Sequence, residues 1–102
     1  DVITPVEKEY SKHVFHLYVI RTNRRNILKD TVKNQIVMSI HYPLPIHFQK
    51  AYSKLGYSKG DFPIAEAFSE EILSLPIYPE LNNKQLEYIC ATINNSLPQC
   101  NS

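Results

Sequence analysis

Histidine and tyrosine side chains around a proline-rich stretch are the residues of this sequence best suited to chemistry. His41 and Tyr42 stand directly before a Pro-Leu-Pro segment, and His47 follows it. Proline lacks an amide donor and favours an extended conformation in the residue before it, so the chain must leave regular structure in a stiff extended turn. Such a connector aims an imidazole and a phenol at a bound ligand. The alternative is that the two histidines are ordinary surface or hydrogen-bonded residues.

The spacing of the other candidates argues against metal binding and nucleophilic catalysis. His13 and His16 are three residues apart on a predicted strand and therefore face opposite sides. His41 and His47 have no neighbouring cysteine or carboxylate that would complete a tetrahedral metal site. The sequence contains no Gly-x-Ser-x-Gly segment, and its two glycines form no phosphate-binding pattern. We predict neither a metal site nor a catalytic residue in this chain.

The first half of the chain predicts a strand, a helix and a second strand. Residues 13–22 are apolar on both faces and rich in β-branched and aromatic side chains, which is typical of a buried strand. Asn23 is the predicted N-cap of a helix that ends near residues 33–35. Residues 36–42 alternate as a strand that ends at the proline-rich stretch. The buried face of the helix is predicted to contain Ile27, Leu28, Thr31 and Val32.

Two helices are predicted after the proline-rich stretch. Residues 48–55 form a short helix that ends at Gly56, where positive φ is readily adopted. Asp61 is the predicted N-cap of the next helix, and Pro63 is tolerated in its first turn. Its predicted buried stripe is Ile64, Ala65, Phe68 and Ile72, with Glu66, Glu70 and Glu71 facing solvent.

The C-terminal part predicts an edge strand and a last helix. Residues 73–78 are apolar but interrupted by Pro76, which restricts them to a sheet edge or an extended segment. Asn82 and Gln85 have the spacing of a capping box, and Pro98 ends the helix. The pattern as a whole predicts a small α/β (α+β) domain, in which a small sheet packs against helices. The predicted buried face of the last helix is Leu86, Ile89, Cys90, Ile93 and Leu97.

Composition limits the classes of function. The 102 residues suffice for one domain, and a net charge of +1 argues against a nucleic-acid or membrane surface. No apolar run approaches the ~20 residues that a membrane span needs. Cys90 and Cys100 are too few for a disulfide scaffold and fit a reducing cytoplasm. Residues 1–12 are polar and predict a connector from a preceding domain, residues 13–98 form the domain, and residues 99–102 form a polar tail.

Four segments, in this order and at these distances, resemble one protein family. They are FHLYVIRTNRR, IHYPLPIHFQKAY, LGYSKGDFPIAE and EEILSLPIYPEL. Together they resemble the C-terminal part of the DegT/DnrJ/EryC1/StrS family of pyridoxal-phosphate-dependent nucleotide-sugar aminotransferases. The likeness implies the small C-terminal domain of a fold-type-I aminotransferase. Such enzymes are homodimers and move an amino group, usually from glutamate, to a keto group of a nucleotide-linked deoxysugar.

The resemblance also implies where the chemistry lies. The IHYP segment approaches the nucleotide-sugar in this family, so His41 and Tyr42 are the expected substrate contacts, with His47 as a further candidate. The cofactor-linking lysine belongs to the family's N-terminal domain, so this chain alone is expected to bind no pyridoxal phosphate and to be inactive. None of its eight lysines stands in the matching context: Lys8, Lys12, Lys29, Lys33, Lys50, Lys54, Lys59 and Lys84.

Two other interpretations stay open at the level of sequence. The chain is alternatively a non-catalytic binding or regulatory module with the same fold. Direct DNA binding is disfavoured, because the charge is nearly neutral and no recognition helix is evident. A further possibility is self-association of the isolated chain through the face that would meet the N-terminal domain.

Overall fold

The computed structural model describes residues 2–97, which form a small α+β unit as predicted. Pro98, Cys100 and the predicted tail at residues 99–102 lie outside the described part. Two 3-10 segments, Ile46–Phe48 and Lys50–Leu55, replace the single short helix expected at residues 48–55. The regular elements are β1 (Tyr18–Arg21), α1 (Arg25–Val32), α2 (Pro63–Glu71), β2 (Ile72–Leu75) and α3 (Asn83–Ser96).

The sheet has β2 at its centre, although the sequence placed this strand at an edge. β1 pairs antiparallel with β2 on one side. A bridge between Ser39 and Ser74 continues the sheet on the other side of β2, and a bridge between Ile3 and Arg21 continues it beyond β1. The chain around Ser39, residues 36–42, is called the Ser39 segment. Because β2 is antiparallel to both neighbours, the Ser39 segment runs parallel to β1, with α1 as the crossover. This is a β-α-β unit split by an inserted strand.

The strand predicted at residues 13–22 is wrong in extent, because regular pairing begins only at Tyr18. Phe15 has φ of 48°, in the left-handed region that strands do not use. Its amide donates a hydrogen bond of 2.7 Å to Nδ1 of His13, and the two rings stack. This local turn replaces the first half of the predicted strand.

The strand predicted at residues 36–42 is also wrong, since only Ser39 pairs with β2. The first residue of the predicted strand, Ile36, belongs to the turn that ends α1, because the amides of Gln35 and Ile36 both donate to the carbonyl of Val32. Its end is broken by Tyr42, whose φ of 60° is left-handed and not extended. The alternation of buried and exposed side chains is nevertheless retained from residue 36 to residue 39.

Helix α1 begins two residues later than its predicted cap. Asn23 does not cap it; the cap position is Arg24, whose amide donates to Oγ1 of Thr22. Arg25, the first residue of the helix, is buried. Of the four residues predicted to be buried, Leu28 and Val32 are, whereas Ile27 and Thr31 are exposed.

Helix α2 is rotated relative to its predicted orientation. Asp61 does not cap it, because its carboxylate accepts a hydrogen bond from the amide of Ser58, and Phe62 occupies the cap position. Pro63 stands in the first turn as expected. The predicted apolar stripe is largely at the surface, with Ile64 71% exposed. The side of α2 that faces the protein instead contains buried Ser69 and half-buried Glu66, and both side chains make hydrogen bonds there.

Helix α3 confirms the predicted capping box. The side chain of Asn82 accepts from the amide of Gln85, and the side chain of Gln85 accepts from the amide of Asn82. The prediction that Cys90 is buried is wrong, because this residue is exposed, as is Leu86. The buried face is Ile89, Thr92, Ile93 and Ser96, with Leu97 partly buried against the core.

The core lies between the sheet, α1 and α3. Helices α1 and α3 pack against each other, and α1 packs against β2. Ile36 and Met38 belong to this core, so the core fixes the segment before His41. The buried apolar residues are Ile20, Leu28, Val32, Ile36, Met38, Leu73, Ile89 and Ile93.

Candidate functional site

His41 is attached to the central strand by its side chain. Nδ1 lies 2.8 Å from Oγ of Ser74. Ser74 is buried, whereas His41 is exposed. The imidazole is thus held at one nitrogen by a rigid part of the sheet and is accessible to solvent elsewhere. An anchored and accessible imidazole is suited to hydrogen bonding with a ligand.

Tyr42 is at the surface in a strained backbone conformation. It is 81% exposed, and its φ of 60° is unusual for a residue other than glycine, more so for one that precedes a proline. Conformations of this kind cost about 1–3 kcal/mol and occur frequently at functional sites. The strain turns the chain immediately after His41, and it replaces the extended geometry that the sequence predicts at this position.

His47 points into the protein, unlike the other two predicted site residues. Pro45 is extended as expected, with φ of −53° and ψ of 146°, and the following 3-10 segment turns His47 inward. The side chain of His47 is only 5% exposed. Its ring centroid lies 4.2 Å from that of Phe48 and 4.9 Å from that of Phe62. His41 is held by β2 and His47 by α2, so the two imidazoles belong to different parts of the fold.

Glu66 is the hydrogen-bond partner of His47, a role that the sequence did not reveal. Its Oε1 lies 2.9 Å from Nε2 of His47 and also accepts the amide of Gly60 at 2.8 Å. Burial opposes ionisation of this carboxyl, but the hydrogen bonds from Gly60, His47 and the Phe62 backbone outweigh it, so the pKa of Glu66 is lowered. Glu66 therefore links the 3-10 region to α2 as an ionised group.

An apolar cavity of about 320 Å³ opens beside His47. Aromatic rings supply much of its wall, and several of them are themselves partly exposed. Nothing in the spacing of these residues in the sequence indicates that they surround one space. The lining consists of Ile46, His47, Tyr52, Leu55, Tyr57, Phe62 and Ala65.

The three arginines near β1 do not form a basic surface. Arg25 is buried, and its Nη1 donates to the carbonyls of Ser69 and Ile72 at 3.2 and 3.1 Å. Arg21 lies 3.3 Å from the carboxylate of Glu71, and its guanidinium stacks on a phenylalanine ring. Arg25 is therefore buried and Arg21, which is partly exposed, is paired with Glu71, so the three arginines do not present one continuous basic surface.

The described residues do not fit pyridoxal phosphate by themselves. The cofactor needs a lysine for covalent attachment, together with an acidic partner for its ring nitrogen. Lys29 is half-buried and the other seven lysines are exposed. Two of the described cavities include a lysine, Lys84 in one and Lys29 with Lys33 in the other, and neither of these two is lined by an acidic residue.

Residues 2–97 lack two further features, a cluster of metal-ligating side chains and a membrane-spanning helix. Histidine, cysteine and acidic side chains do not gather there in threes, as a metal site would require. Within the same range, each helix is too short or too polar to cross a bilayer.

Comparison with known proteins gives one consistent family. Residues 1–94 match the model of the DegT/DnrJ/EryC1/StrS aminotransferase family. The chain is 43% identical over 93 residues to a protein of Geobacillus stearothermophilus named "Pleiotropic regulatory protein". It is 35% identical over 91 residues to the dTDP-3-amino-3,6-dideoxy-alpha-D-galactopyranose transaminase of Aneurinibacillus thermoaerophilus. These matches cover 90% and 88% of this chain but only 25% and 24% of the relatives.

Solved structures agree with the sequence comparison. The crystal structure of S. venezuelae DesV in complex with a ketimine intermediate superposes with a TM-score of 0.82 at 31% identity. That match covers 99% of this chain and 27% of the other. An aminotransferase of the same family from Brucella abortus gives a TM-score of 0.82 at 30% identity. The chain therefore spans about a quarter of the length of the proteins it matches.

Proposed function

This chain belongs to the DegT/DnrJ/EryC1/StrS aminotransferase family, and we propose that it is the C-terminal domain of a nucleotide-sugar aminotransferase. In the parent enzyme, an amino group would pass from an amino acid, usually glutamate, to a keto-deoxysugar nucleotide with pyridoxal phosphate as cofactor. Residues 13–98 would form the domain and residues 1–12 its connection to a cofactor-binding domain. One observation carries the proposal: nearly the whole of this chain aligns with about a quarter of the length of the sugar aminotransferases compared above.

The amount of exposed surface supports a role as part of a larger protein. The accessible surface is 7950 Å², whereas a self-contained globule of 11.8 kDa exposes about 5,900 Å². The difference, about 2,000 Å², is as large as the area buried in a complete protein interface. The radius of gyration of 15.8 Å also exceeds the roughly 13 Å of a compact domain of this length. The irregular and mostly exposed residues 4–17 contribute to both quantities, and a second domain packed on the chain would cover part of this surface.

The exposed pair at the end of the Ser39 segment supports substrate contact by this chain. His41 and Tyr42 offer an imidazole and a phenol next to each other, and both are accessible in the described part of the protein. Sugar hydroxyls and phosphoryl oxygens are acceptors for such donors. We propose that both residues contact the nucleotide-sugar. We propose His47 as a further contact, which would act from the wall of the apolar cavity.

The first test concerns the cofactor. The chain alone, incubated with pyridoxal phosphate and then reduced with borohydride, should show no stoichiometric adduct at any one lysine by mass spectrometry. An intact aminotransferase of the family, treated in the same way, is the positive control. A stoichiometric adduct at a single lysine of this chain would contradict the proposal that the cofactor is held by another domain.

The second test concerns completeness. Mixing the chain with a matching cofactor-binding domain should produce transamination of a keto-deoxysugar nucleotide with glutamate, and neither part should be active alone. Sedimentation of the active mixture would test the homodimer proposed for the parent enzyme. Normal activity of the isolated chain would overturn the assignment of the catalytic groups to another domain.

A regulatory module is the second candidate, because the relative at 43% identity has a regulatory name. Direct DNA binding is not supported by the charges, since Arg25 is buried and Arg21 is paired with Glu71. A gel-shift series at rising salt separates the candidates. A DNA-binding module would show a shift that weakens steeply with salt, whereas a domain of a sugar aminotransferase should show none at any salt concentration.

The cellular location is also a proposal. We propose a cytoplasmic parent enzyme, in keeping with Cys90, which is a free and exposed thiol. Thiols of this kind persist in reducing compartments. Cell fractionation with an antibody to the chain tests this, and recovery from a secreted fraction would contradict it.

A further inference from the structure

The buried hydroxyl of Ser74 has a single hydrogen-bond partner among residues 2–97, the Nδ1 atom of His41. Ser74 is 5% exposed. Its backbone amide and carbonyl are both bonded to Ser39, at 2.8 and 3.2 Å, and its strand is flanked by β1 on the other side. The serine is therefore fixed in space, and the rotation of its hydroxyl hydrogen is its main remaining freedom.

This geometry determines which nitrogen of a neutral His41 carries the proton. A hydroxyl has one hydrogen to donate and two lone pairs, whereas a neutral imidazole has one N–H group and one acceptor nitrogen. A proton on Nδ1 would leave the serine hydrogen buried without an acceptor in the described part of the chain, which costs more than an unused lone pair. When Oγ donates to Nδ1, both groups are satisfied and the imidazole proton lies on Nε2.

Nε2 of His41 is the nitrogen left for a ligand. Within residues 2–97 no hydrogen bond reaches it, and the residue is exposed. We propose that Ser74 is a positioning residue, which fixes the tautomer and the ring of His41 so that Nε2–H donates to an acceptor oxygen of the bound ligand. Sugar hydroxyl, keto and phosphoryl oxygens are such acceptors. The identity of the ligand rests on the proposed function, whereas the tautomer does not.

The tautomer is directly measurable by NMR. Long-range 15N–1H correlation spectra of the chain, recorded at about pH 8 where ordinary imidazoles are neutral, distinguish a protonated ring nitrogen from an unprotonated one. His41 is expected to show unprotonated Nδ1 and protonated Nε2. A protonated Nδ1, or two nitrogens averaged between both forms, would overturn the inference in the unmodified protein, whatever the variants do.

Substitutions of Ser74 test the cause. Ser74→Ala should convert His41 to a mixture of tautomers, and Ser74→Thr, which retains a hydroxyl, should restore the single form. Ser69→Ala is the matched control, because this serine is equally buried but donates to the carbonyl of Glu66. An unchanged His41 spectrum in folded Ser74→Ala would show that the serine does not set the tautomer.

Kinetics of the complete enzyme, formed with a cofactor-binding domain, separate this inference from the proposed function. With a dTDP-keto-sugar as the probe, Ser74→Ala should raise the KM for the sugar by about threefold to tenfold, as expected for one misaligned hydrogen bond. The KM for glutamate should stay unchanged. If the tautomer is as stated but His41→Ala leaves the sugar KM unchanged, the positioning holds and the substrate contact is refuted. If NMR shows a different tautomer while His41→Ala raises the sugar KM, the substrate contact by His41 holds and the positioning role of Ser74 is refuted.

Discussion

At the scale of single residues, the bend at Tyr42 is the clearest sign of a functional constraint. Its ring is largely in solvent, so packing does not explain its left-handed backbone. We expect Tyr42→Gly to be more stable than Tyr42→Ala by about 1 kcal/mol, because both lack the ring but only alanine keeps the Cβ atom that makes this φ unfavourable. Urea denaturation of the two variants measures the difference. Equal stabilities would show that the backbone is not strained at this position.

Glu66 predicts a pH dependence of stability. Because the pKa of this carboxyl is lowered in the folded protein, its ionisation stabilises the fold above the pKa of the unfolded chain, and this stabilisation is lost as the pH falls through the folded value. Glu66→Gln should therefore reduce stability near neutral pH, and the difference from the unmodified chain should shrink in acid. Denaturation midpoints at about pH 7 and pH 3.5 measure it.

The matched control for this prediction is Glu70→Gln. The side chain of Glu70 is 80% exposed and reaches Arg25 only at 3.9 Å, so its loss should have little effect at either pH. A stability difference for Glu66→Gln that stays constant from neutral to acid would contradict the role assigned to the ionised carboxylate.

At this scale, sequence reasoning predicted which candidate residues are exposed better than it predicted their hydrogen-bond partners. The proline-rich stretch identified His41 and Tyr42 as exposed candidates, and the structure places both at the surface. The sequence did not indicate that Ser74 is the partner of His41 or that Glu66 is the partner of His47, because these partners lie far along the chain. Contacts between distant residues are set by tertiary packing, and a single sequence contains no pattern that reports them.

At the scale of elements, Arg25 joins α1 to the junction between α2 and β2. Its guanidinium donates to the carbonyls of Ser69 and Ile72, at the C-terminal end of α2 where helix carbonyls lack intrahelical partners. Arg25→Met should destabilise the chain by about 2–4 kcal/mol, since it leaves the buried carbonyl of Ser69 and the part-buried carbonyl of Ile72 without this partner. Urea denaturation is the measurement, with the loss expected as a shift of the midpoint.

The neighbouring arginine provides the control. The side chain of Arg24 makes no ion pair within residues 2–97, so Arg24→Met should change stability by less than about 0.5 kcal/mol. Equal effects of the two substitutions would mean that Arg25 acts through charge alone and not through the two hydrogen bonds.

Features of the elements that depend on residues nearby in the sequence were predictable, whereas features that depend on tertiary contacts were not. The capping box at Asn82 and the turn at Gly56 depend on neighbours in sequence, and both are confirmed. The orientation of α2 and the length of the strand before His41 depend on distant hydrogen bonds, and both predictions were wrong. Helix α2 shows the reason, because polar contacts of Glu66 and Ser69 outweigh the apolar stripe that would otherwise face inward.

At the scale of the whole molecule, the exposed surface of this chain supports the proposal that it is one domain of a larger enzyme. The accessible area exceeds that of a self-contained globule of this mass by about 2,000 Å², and the relatives are about four times as long. The lysines that line the described cavities have no acidic partner there, and we propose that the anchored His41 and the strained Tyr42 contact a ligand. A division of labour between two domains, one for the cofactor and one lending substrate contacts, explains these features together.

The most direct test is the steady-state kinetics of His41→Ala in the complete enzyme, formed with a cofactor-binding domain of the family. The KM for the dTDP-keto-sugar should rise about tenfold, as expected for the loss of one or two hydrogen bonds to the ligand. The KM for glutamate and the absorbance of the bound cofactor should not change. An unchanged sugar KM, or a loss of cofactor absorbance, would contradict the assignment of this chain to substrate binding.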